Sequence, residues 1–270
     1  MLSIRKHALN FLQICAFDNW AEMLVQRIFF RRTQVQVHRL GKIQAVVDHR
    51  GADAGSIRTC LCTPMYTQFL DNVQLPRSIS VLDIGANVGG FTLLLAHRGH
   101  HMRKVVCVEL NPNTYERLRF NVLTNVGLHC HIVNGALWRS EGTLSVQLGI
   151  GSTSDSIRGT GDTARYGARE CTVRSCTPDS LISEFFSQEA IDICKIDIEG
   201  AEDDVLLSEN DVAGSLCQCR NILIELHSQH AYNAVLQRIE GLGFRLVAKE
   251  PGKPLGVHLF QQASNASHWP

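Results

Sequence analysis

Carboxylates stand where apolar runs end, and their spacing limits the chemistry open to this chain. Asp83 lies two residues ahead of Gly85 in the run Val81-Leu82-Asp83-Ile84-Gly85-Ala86-Asn87-Val88-Gly89-Gly90-Phe91-Thr92. Glu109 ends the apolar run Val105-Val106-Cys107-Val108, 24 residues after Gly85. A strand, a glycine turn and a helix make the nucleotide-binding half of a doubly wound sheet. Gly85, Gly89 and Gly90 let that backbone bend and approach a ligand with no Cβ in the way. A dinucleotide fingerprint needs glycine where this chain has Asn87, so that a pyrophosphate can rest on the backbone. Asn87 therefore disfavours a diphosphate, and with it a nicotinamide dehydrogenase. Asp83 suits a ligand with a positively charged amine. Glu109, close to the roughly 20-residue offset at which an acid reaches ribose hydroxyls, suits a ribose. S-adenosyl-L-methionine carries an amine, an adenosine and no phosphate. Taken singly, Asp83 reads equally as a helix-capping residue and Glu109 as a solvated loop acid; their order and spacing favour the ligand. At a strand's carboxyl end Glu109 is expected to stay solvated and ionised, accepting from adjacent hydroxyls.

A second cluster follows in Lys195-Ile196-Asp197-Ile198-Glu199-Gly200-Ala201-Glu202. Alternate residues of a strand share a face, so Lys195, Asp197 and Glu199 point one way. A central parallel strand should be apolar on both faces, and charges at its end must be paired or working. Asp197 is the candidate to orient or deprotonate an acceptor hydroxyl. Lys195 would tune that carboxylate or hold the substrate. His227, in Glu225-Leu226-His227, is the other candidate base, because an unperturbed imidazole titrates near neutrality. The competing structural reading is a Lys195–Asp197 or Lys195–Glu199 ion-pair network, with Glu202 an ordinary first-turn helix acid. Asp197, Glu225 and His227 are also donors of the kind that hold a divalent cation, although no metal is expected.

The elements that must position these residues are legible from pattern. Strands are expected at 80–84, 104–109, 130–134, 191–197 and 221–226, with helices at 88–98, 112–124 and 230–241 between or after them. Asn111-Pro112 and Thr177-Pro178-Asp179 read as helix starts; the second opens a helix to about 187. An inserted pair of β segments, 142–148 and 171–175, flanks the hydroxyl-rich loop Gly151-Ser152-Thr153-Ser154-Asp155-Ser156. Closing strands at 244–248 and 256–261 should form a hairpin-like edge. Residues 1–30 read as one or two amphipathic helices with Leu9, Leu12, Phe17, Trp20, Leu24 and Ile28 as apolar positions. Short strands follow at 35–37 and 43–47. The stretch 50–76, with Gly51, Gly55, Ser56, Tyr66 and Phe69, reads as loop and short helix able to fold over the ligand cleft.

At 270 residues, one core with an N-terminal extension is the simplest organisation. The 26 basic and 26 acidic side chains cancel, which argues against a nucleic-acid footprint over the whole surface. The ten cysteines come without a signal peptide, since Arg5, Lys6 and Asn10 interrupt the first residues, and they read as thiols of a reducing cytoplasm. No run reaches the roughly 18 apolar residues of a membrane span. Cys60-Leu61-Cys62 and Cys217-Gln218-Cys219 lack the usual gap of a zinc site.

Over roughly Ser80 to Phe244 the chain resembles the FkbM family of S-adenosylmethionine-dependent methyltransferases. The resemblance rests on Val81 to Gly89, on Val108-Glu109-Leu110-Asn111-Pro112 and, most specifically, on Lys195 to Glu202. It departs at Thr177-Pro178-Asp179, where the family usually has Thr-Leu-Asp. The resemblance implies an α/β, Rossmann-like class I methyltransferase fold: a seven-stranded, mostly parallel sheet with helices on both faces, here with an N-terminal extension. It implies O-methylation of sugars or polyketide-type products, and cofactor binding by Asp83, Gly85, Asn87 and Glu109. The expected cofactor set also includes Ala86, Gly89, Leu110 and Asn111, with Ala136 and Leu137 beside the adenine. The expected boundaries are 1–76 for a helical and β extension with a lid, 77–262 for the methyltransferase domain and 263–270 for a tail. The expected partner is a small-molecule or glycan acceptor. Residues 1–50 are open to three roles: a lid, a homodimer interface or a partner-binding arm. Other readings are an RNA or protein methyltransferase, since Lys195, Asp197 and Glu199 are similar to the lysine–carboxylate sites of ribose methylation, and a non-catalytic scaffold of the same fold.

Overall fold

The run Val81-Leu82-Asp83-Ile84 is wholly buried, as a strand covered on both faces requires, and the sheet is built outward from it. The structure is a computed structural model and describes residues 10–29, 34–151, 155–157, 159–160 and 167–263. Leu9, residues 152–154 of the hydroxyl-rich loop and residues 264–270 of the tail lie outside the described residues.

Helix α1 (Trp20–Phe29), a hairpin of β1 (Val35–Leu40) and β2 (Ile43–Asp48), and helices α2 (Asp53–Cys62) and α3 (Pro64–Leu70) come first. Then β3 (Ser78–Ile84), α4 (Gly90–His97), β4 (His101–Glu109), α5 (Pro112–Asn125) and β5 (His131–Asn134) alternate. An insertion follows: β6 (Ala136–Leu137), β7 (Gly142–Leu148), β8 (Asp155–Ser156), β9 (Gly159–Thr160) and β10 (Arg169–Cys176). The chain returns through α6 (Pro178–Phe185), β11 (Ile193–Ile196), α7 (Glu202–Leu206), β12 (Asn221–Leu226), α8 (Tyr232–Gly241), β13 (Phe244–Lys249) and β14 (Gly256–Gln262).

The main sheet has seven strands in the order β13-β14-β12-β11-β3-β4-β5. Its five strands from β12 to β5 are parallel, and β14 and β13 are antiparallel. The expected seven-stranded, mostly parallel sheet is therefore present. The strand order reverses between β3 and β11, so a crevice opens beyond their carboxyl ends. Side chains alternate across the sheet. Ile79, Val81, Val105 and Ile193 pack with α2 to α5, while Leu82, Ile84, Val106 and Cys194 pack with α6 to α8. Asp83 and Lys195 are Cα partners in register, on the same face as Val81.

Several expectations change. The closing hairpin forms, but β14 lies inside the sheet and only β13 is an edge. Val257, His258, Leu259 and Phe260 are buried in β14, whereas β13 exposes Leu246 and Val247. In the first 30 residues Phe17 is buried, but Leu12, Trp20 and Ile28 are exposed; Ile14 and Met23 take the core positions. The stretch 50–76 is mostly helical. Thr63 caps α3, its side chain accepting from Met65 N with Pro64 in the first turn, a helix start that composition alone reads as loop. β7 and β10 pair antiparallel as expected and carry a small core of Ala136, Val146, Leu148 and Val173.

The hairpin is fastened through its edges. Asn121 of α5 accepts from Val46 N at 2.7 Å and donates to Val46 O at 3.0 Å and Val88 O at 3.0 Å. Asn125 does the same for Gln44, and the Asp53 carboxylate accepts from Asp48 N. On the other side Asn19 accepts from Arg39 N and donates to Val37 O. Among the described residues no helix is long and apolar enough to cross a membrane.

Candidate functional site

A cavity of about 870 Å³ lies beyond the carboxyl ends of β3, β4, β11 and β12. The turn after β3 forms its floor. Gly85 has φ +70°, and a Cβ there would stand 1.7 Å from the Asp197 carbonyl oxygen. Only glycine fits, because the first strand end and the acidic segment after β11 touch at this point. Asn87 also adopts a positive φ, of 50°, which asparagine tolerates better than most residues.

Glu109 is held by this turn. Its carboxylate accepts from Asn87 N at 2.9 Å and Asn111 N at 2.8 Å. It is only 6% exposed, against the expectation of a solvated acid. Burial pushes its pKa up to about 7, opposed by the backbone hydrogen bonds from Asn111 and Asn87. The Asn87 N–H that a dinucleotide fold would turn toward a pyrophosphate is thus occupied by a carboxylate. A phosphate there would meet negative charge, whereas ribose hydroxyls would find an acceptor. Leu110, Ala136 and Leu137 line the cavity near Glu109 and offer apolar surface to a flat base. The residues present fit S-adenosyl-L-methionine.

Gly85, Ala86, Asn87, Glu109, Leu110, Ala136 and Leu137 all border the cavity; Asp83, Gly89 and Asn111 do not. Asp83 is fully buried behind the wall. One of its oxygens accepts from Thr92 Oγ1 at 2.7 Å and the other lies 3.7 Å from Lys195 Nζ. Its carboxylate faces Lys195, not a ligand amine. Gly89 serves packing: a Cβ would meet Leu118 and Val122 of α5 at 3.1 Å. Asn111 caps α5, and its amide donates to Gly149 O and Asp155 Oδ2. It holds the insertion over the cavity without lining it. Asn134 similarly donates to the Glu109 and Leu110 carbonyls.

At the other end of the floor Lys195 Nζ donates to Gly85 O at 3.0 Å and sits 3.2 Å from Asp197 Oδ2. Burial opposes its charge, but Asp197 and Asp83 raise its pKa above the ordinary lysine range. The Lys195–Asp197 pair of the structural reading is therefore real, and Glu199 pairs with His227 instead. Asp197 nevertheless borders the cavity, and its Oδ1 has no hydrogen-bond partner.

His227 stands behind this floor and does not line the cavity. Its Nδ1 is 2.9 Å from Glu202 Oε1 and its Nε2 3.4 Å from Glu199 Oε2. Burial lowers its pKa, but the hydrogen bond and charge of Glu202, with Glu199 and Asp197, carry it up to about 9. A ring that is protonated at neutral pH is unsuited to act as a base, contrary to the expectation from its unperturbed value. Glu202 is more than a first-turn acid: it also accepts from Ile198 N and Gly200 N, fixing the turn that carries Glu199. Ligand atoms of Asp197, Glu225 and His227 all lie within 4.8 Å of one another.

Sequence reasoning missed the far wall as a set of side chains. Cys60 and Arg58 of α2, and Asp155 of β8, border the cavity with Ser56 and Tyr66. Gly90 is the signal for Cys60, since a Cβ there would lie 2.6 Å from its Sγ. Nothing in the local pattern marks Arg58 or Asp155.

Comparison with known proteins agrees with this geometry. The model of the methyltransferase FkbM domain matches residues 83–246, more than half of the chain. The AMB antimetabolite synthetase AmbE of Pseudomonas aeruginosa is 28% identical over 197 residues, 59% of this chain; the match spans only 9% of that protein's length. Among solved structures, an FkbM methyltransferase of Methylobacillus flagellatus is 14% identical, covering 80% of this chain and 62% of that one with a TM-score of 0.45. A precorrin-6y C5,15-methyltransferase of Geobacter metallireducens is 12% identical, covering 73% and 87% with a TM-score of 0.40. A crevice whose turn excludes a pyrophosphate and offers a ribose acceptor, within a matched stretch of this extent, makes the chain a member of the FkbM methyltransferase family, with S-adenosyl-L-methionine as its cofactor.

Proposed function

We propose that the chain methylates a hydroxyl of a sugar or other small natural-product-type acceptor. The observation that carries this reading is Asp197: a carboxylate bordering the cavity, one oxygen held by Lys195 and the other without a partner. The cofactor supplies an electrophilic methyl on a sulfonium. Glu109 accepts from its ribose hydroxyls, Leu110, Ala136 and Leu137 flank its base, and Gly85 to Asn87 leave room for its amino-acid portion. Asp197 Oδ1 receives the acceptor's hydroxyl hydrogen bond, orients the oxygen for in-line attack and takes its proton as the new C–O bond forms. Lys195 holds Asp197 against the Gly85 carbonyl, so that the base and the cofactor turn move as one unit. Similarity to an antimetabolite synthetase supports a small-molecule acceptor. The same reading keeps 77–262 as the methyltransferase domain, with 1–76 as the extension that walls the acceptor side and 263–270 as a tail.

The test is Asp197→Asn. S-adenosylhomocysteine binding should persist, while methyl transfer from labelled cofactor to a panel of sugars and hydroxylated small molecules falls by about 10²–10⁴-fold. Transfer at the wild-type rate would remove Asp197 as the base.

A further inference from the structure

The side of the cavity opposite the acids is basic. Arg58 of α2 and Arg27 of α1 both border it, with Gln36 of β1 and His49 beside them. Elsewhere arginines find carboxylates: Arg50 with Asp48, Arg117 with Asp53, Arg220 with Asp192. Among the described residues neither Arg27 nor Arg58 has an acidic partner. The Arg58 Nε is sealed from solvent with no acceptor. A guanidinium has only donors and stays charged in proteins, so an unanswered one in a cavity wall is costly. Burial, and then repulsion from Arg27, pull the Arg58 pKa below its ordinary value; an anion bound between them would relieve both. The far end carries Asp197, Glu199 and Glu225. The cavity is thus polarised, with unpaired positive charge at one end and acids at the other.

We infer that Arg58 and Arg27 form an oxyanion subsite of this cavity, which takes a carboxylate or phosphate group of a molecule bound there. The inference rests on reading the cavity as the methyl-transfer site. Two sources share the chemistry: the amino-acid carboxylate of the cofactor, and an acidic group on the acceptor. Planar guanidinium forks suit both.

The experiment is calorimetry on the full chain with S-adenosylhomocysteine and with 5′-methylthioadenosine, which lacks the amino-acid carboxylate. Thermal shifts with inorganic phosphate and with citrate follow, on the S-adenosylhomocysteine complex. The proteins are wild type, Arg58→Gln, Arg58→Lys and Arg27→Gln. If the cofactor is the source, Arg58→Gln weakens S-adenosylhomocysteine by about tenfold or more and leaves methylthioadenosine unchanged. If the acceptor is the source, S-adenosylhomocysteine binds as before, and the stabilisation by phosphate or citrate disappears in Arg58→Gln. In either case Arg58→Lys should retain part of the effect. Arg27 is exposed, so Arg27→Gln should fold as wild type does and show the same loss in smaller measure. Wild-type affinities and stabilisation in both glutamine variants would overturn the subsite. Failure of wild type to bind S-adenosylhomocysteine would instead sink the methyl-transfer reading, with the phosphate and citrate arms still reporting on the arginines.

Discussion

Glu109 has to be charged to accept from two hydroxyls, yet its burial pushes its pKa up to about 7. Cofactor binding must therefore draw a proton off it in mildly acidic solution. The dissociation constant for S-adenosylhomocysteine should rise by up to tenfold for each pH unit below about 7, the folded value for Glu109. Glu109→Gln should flatten that dependence. Glu109→Ala should weaken binding by roughly tenfold or more at pH 8, through loss of charge-assisted hydrogen bonds. An affinity that calorimetry finds unchanged in the alanine variant would end the ribose role. The sequence pointed to Glu109 because an acid at the end of the second strand has little else to do. It could not reveal that the acid is buried, since the two N–H groups that allow burial belong to Asn87 and Asn111 and emerge only when turn and cap fold together. Asp83 is the complementary case. Its position ahead of the glycines is conspicuous, but strand alternation turns it inward to Lys195, and no ligand reaches it.

At the scale of elements, α5 is both the helix after the second strand and the clamp of the N-terminal hairpin. Asn121→Ala would strip Val46 N–H and two carbonyls of their partners. The variant should lose about 2–4 kcal/mol of stability, because a buried donor left unsatisfied costs more than a hydrogen bond is worth. A denaturant titration within 0.5 kcal/mol of wild type would show that water replaces the amide. The α/β alternation from 78 onward was legible because buried parallel strands are continuous apolar runs, and Asn111-Pro112 and Thr177-Pro178 announce helices chemically. The helices between 53 and 70 were not. Their glycines and polar residues resemble a loop, and they are stabilised by tertiary partners such as Arg117 on Asp53 and Cys60 against Gly90. Much of the cavity's far wall was hidden for the same reason.

For the whole molecule, the acids after β11 and β12 and His227 form one electrostatic unit that favours neutral to acidic solution. The His227 pKa is raised from 6.5 to about 9. Its contribution to stability is complete below 6.5 and is lost as pH rises through about 9. Glu199 and Glu225, raised to about 8 and about 7 by burial and then by Asp197, act in the same direction from 4.5 upward. The melting temperature should therefore fall between pH 6.5 and 9, and His227→Asn should remove part of that fall, on the order of 2 kcal/mol. Parallel pH curves for the two proteins would contradict a charged His227. The N-terminal hairpin bears on the molecule as a whole in another way. Two strands standing apart from the main sheet would normally expose backbone that recruits a strand from a neighbouring chain. Here asparagine amides on helices occupy that backbone from both sides, Asn19 on β1 and Asn121 with Asn125 on β2. They act as side-chain stand-ins for missing strands. Self-association by strand addition is thereby closed off along the hairpin, and any pairing of two copies has to use side-chain surfaces instead.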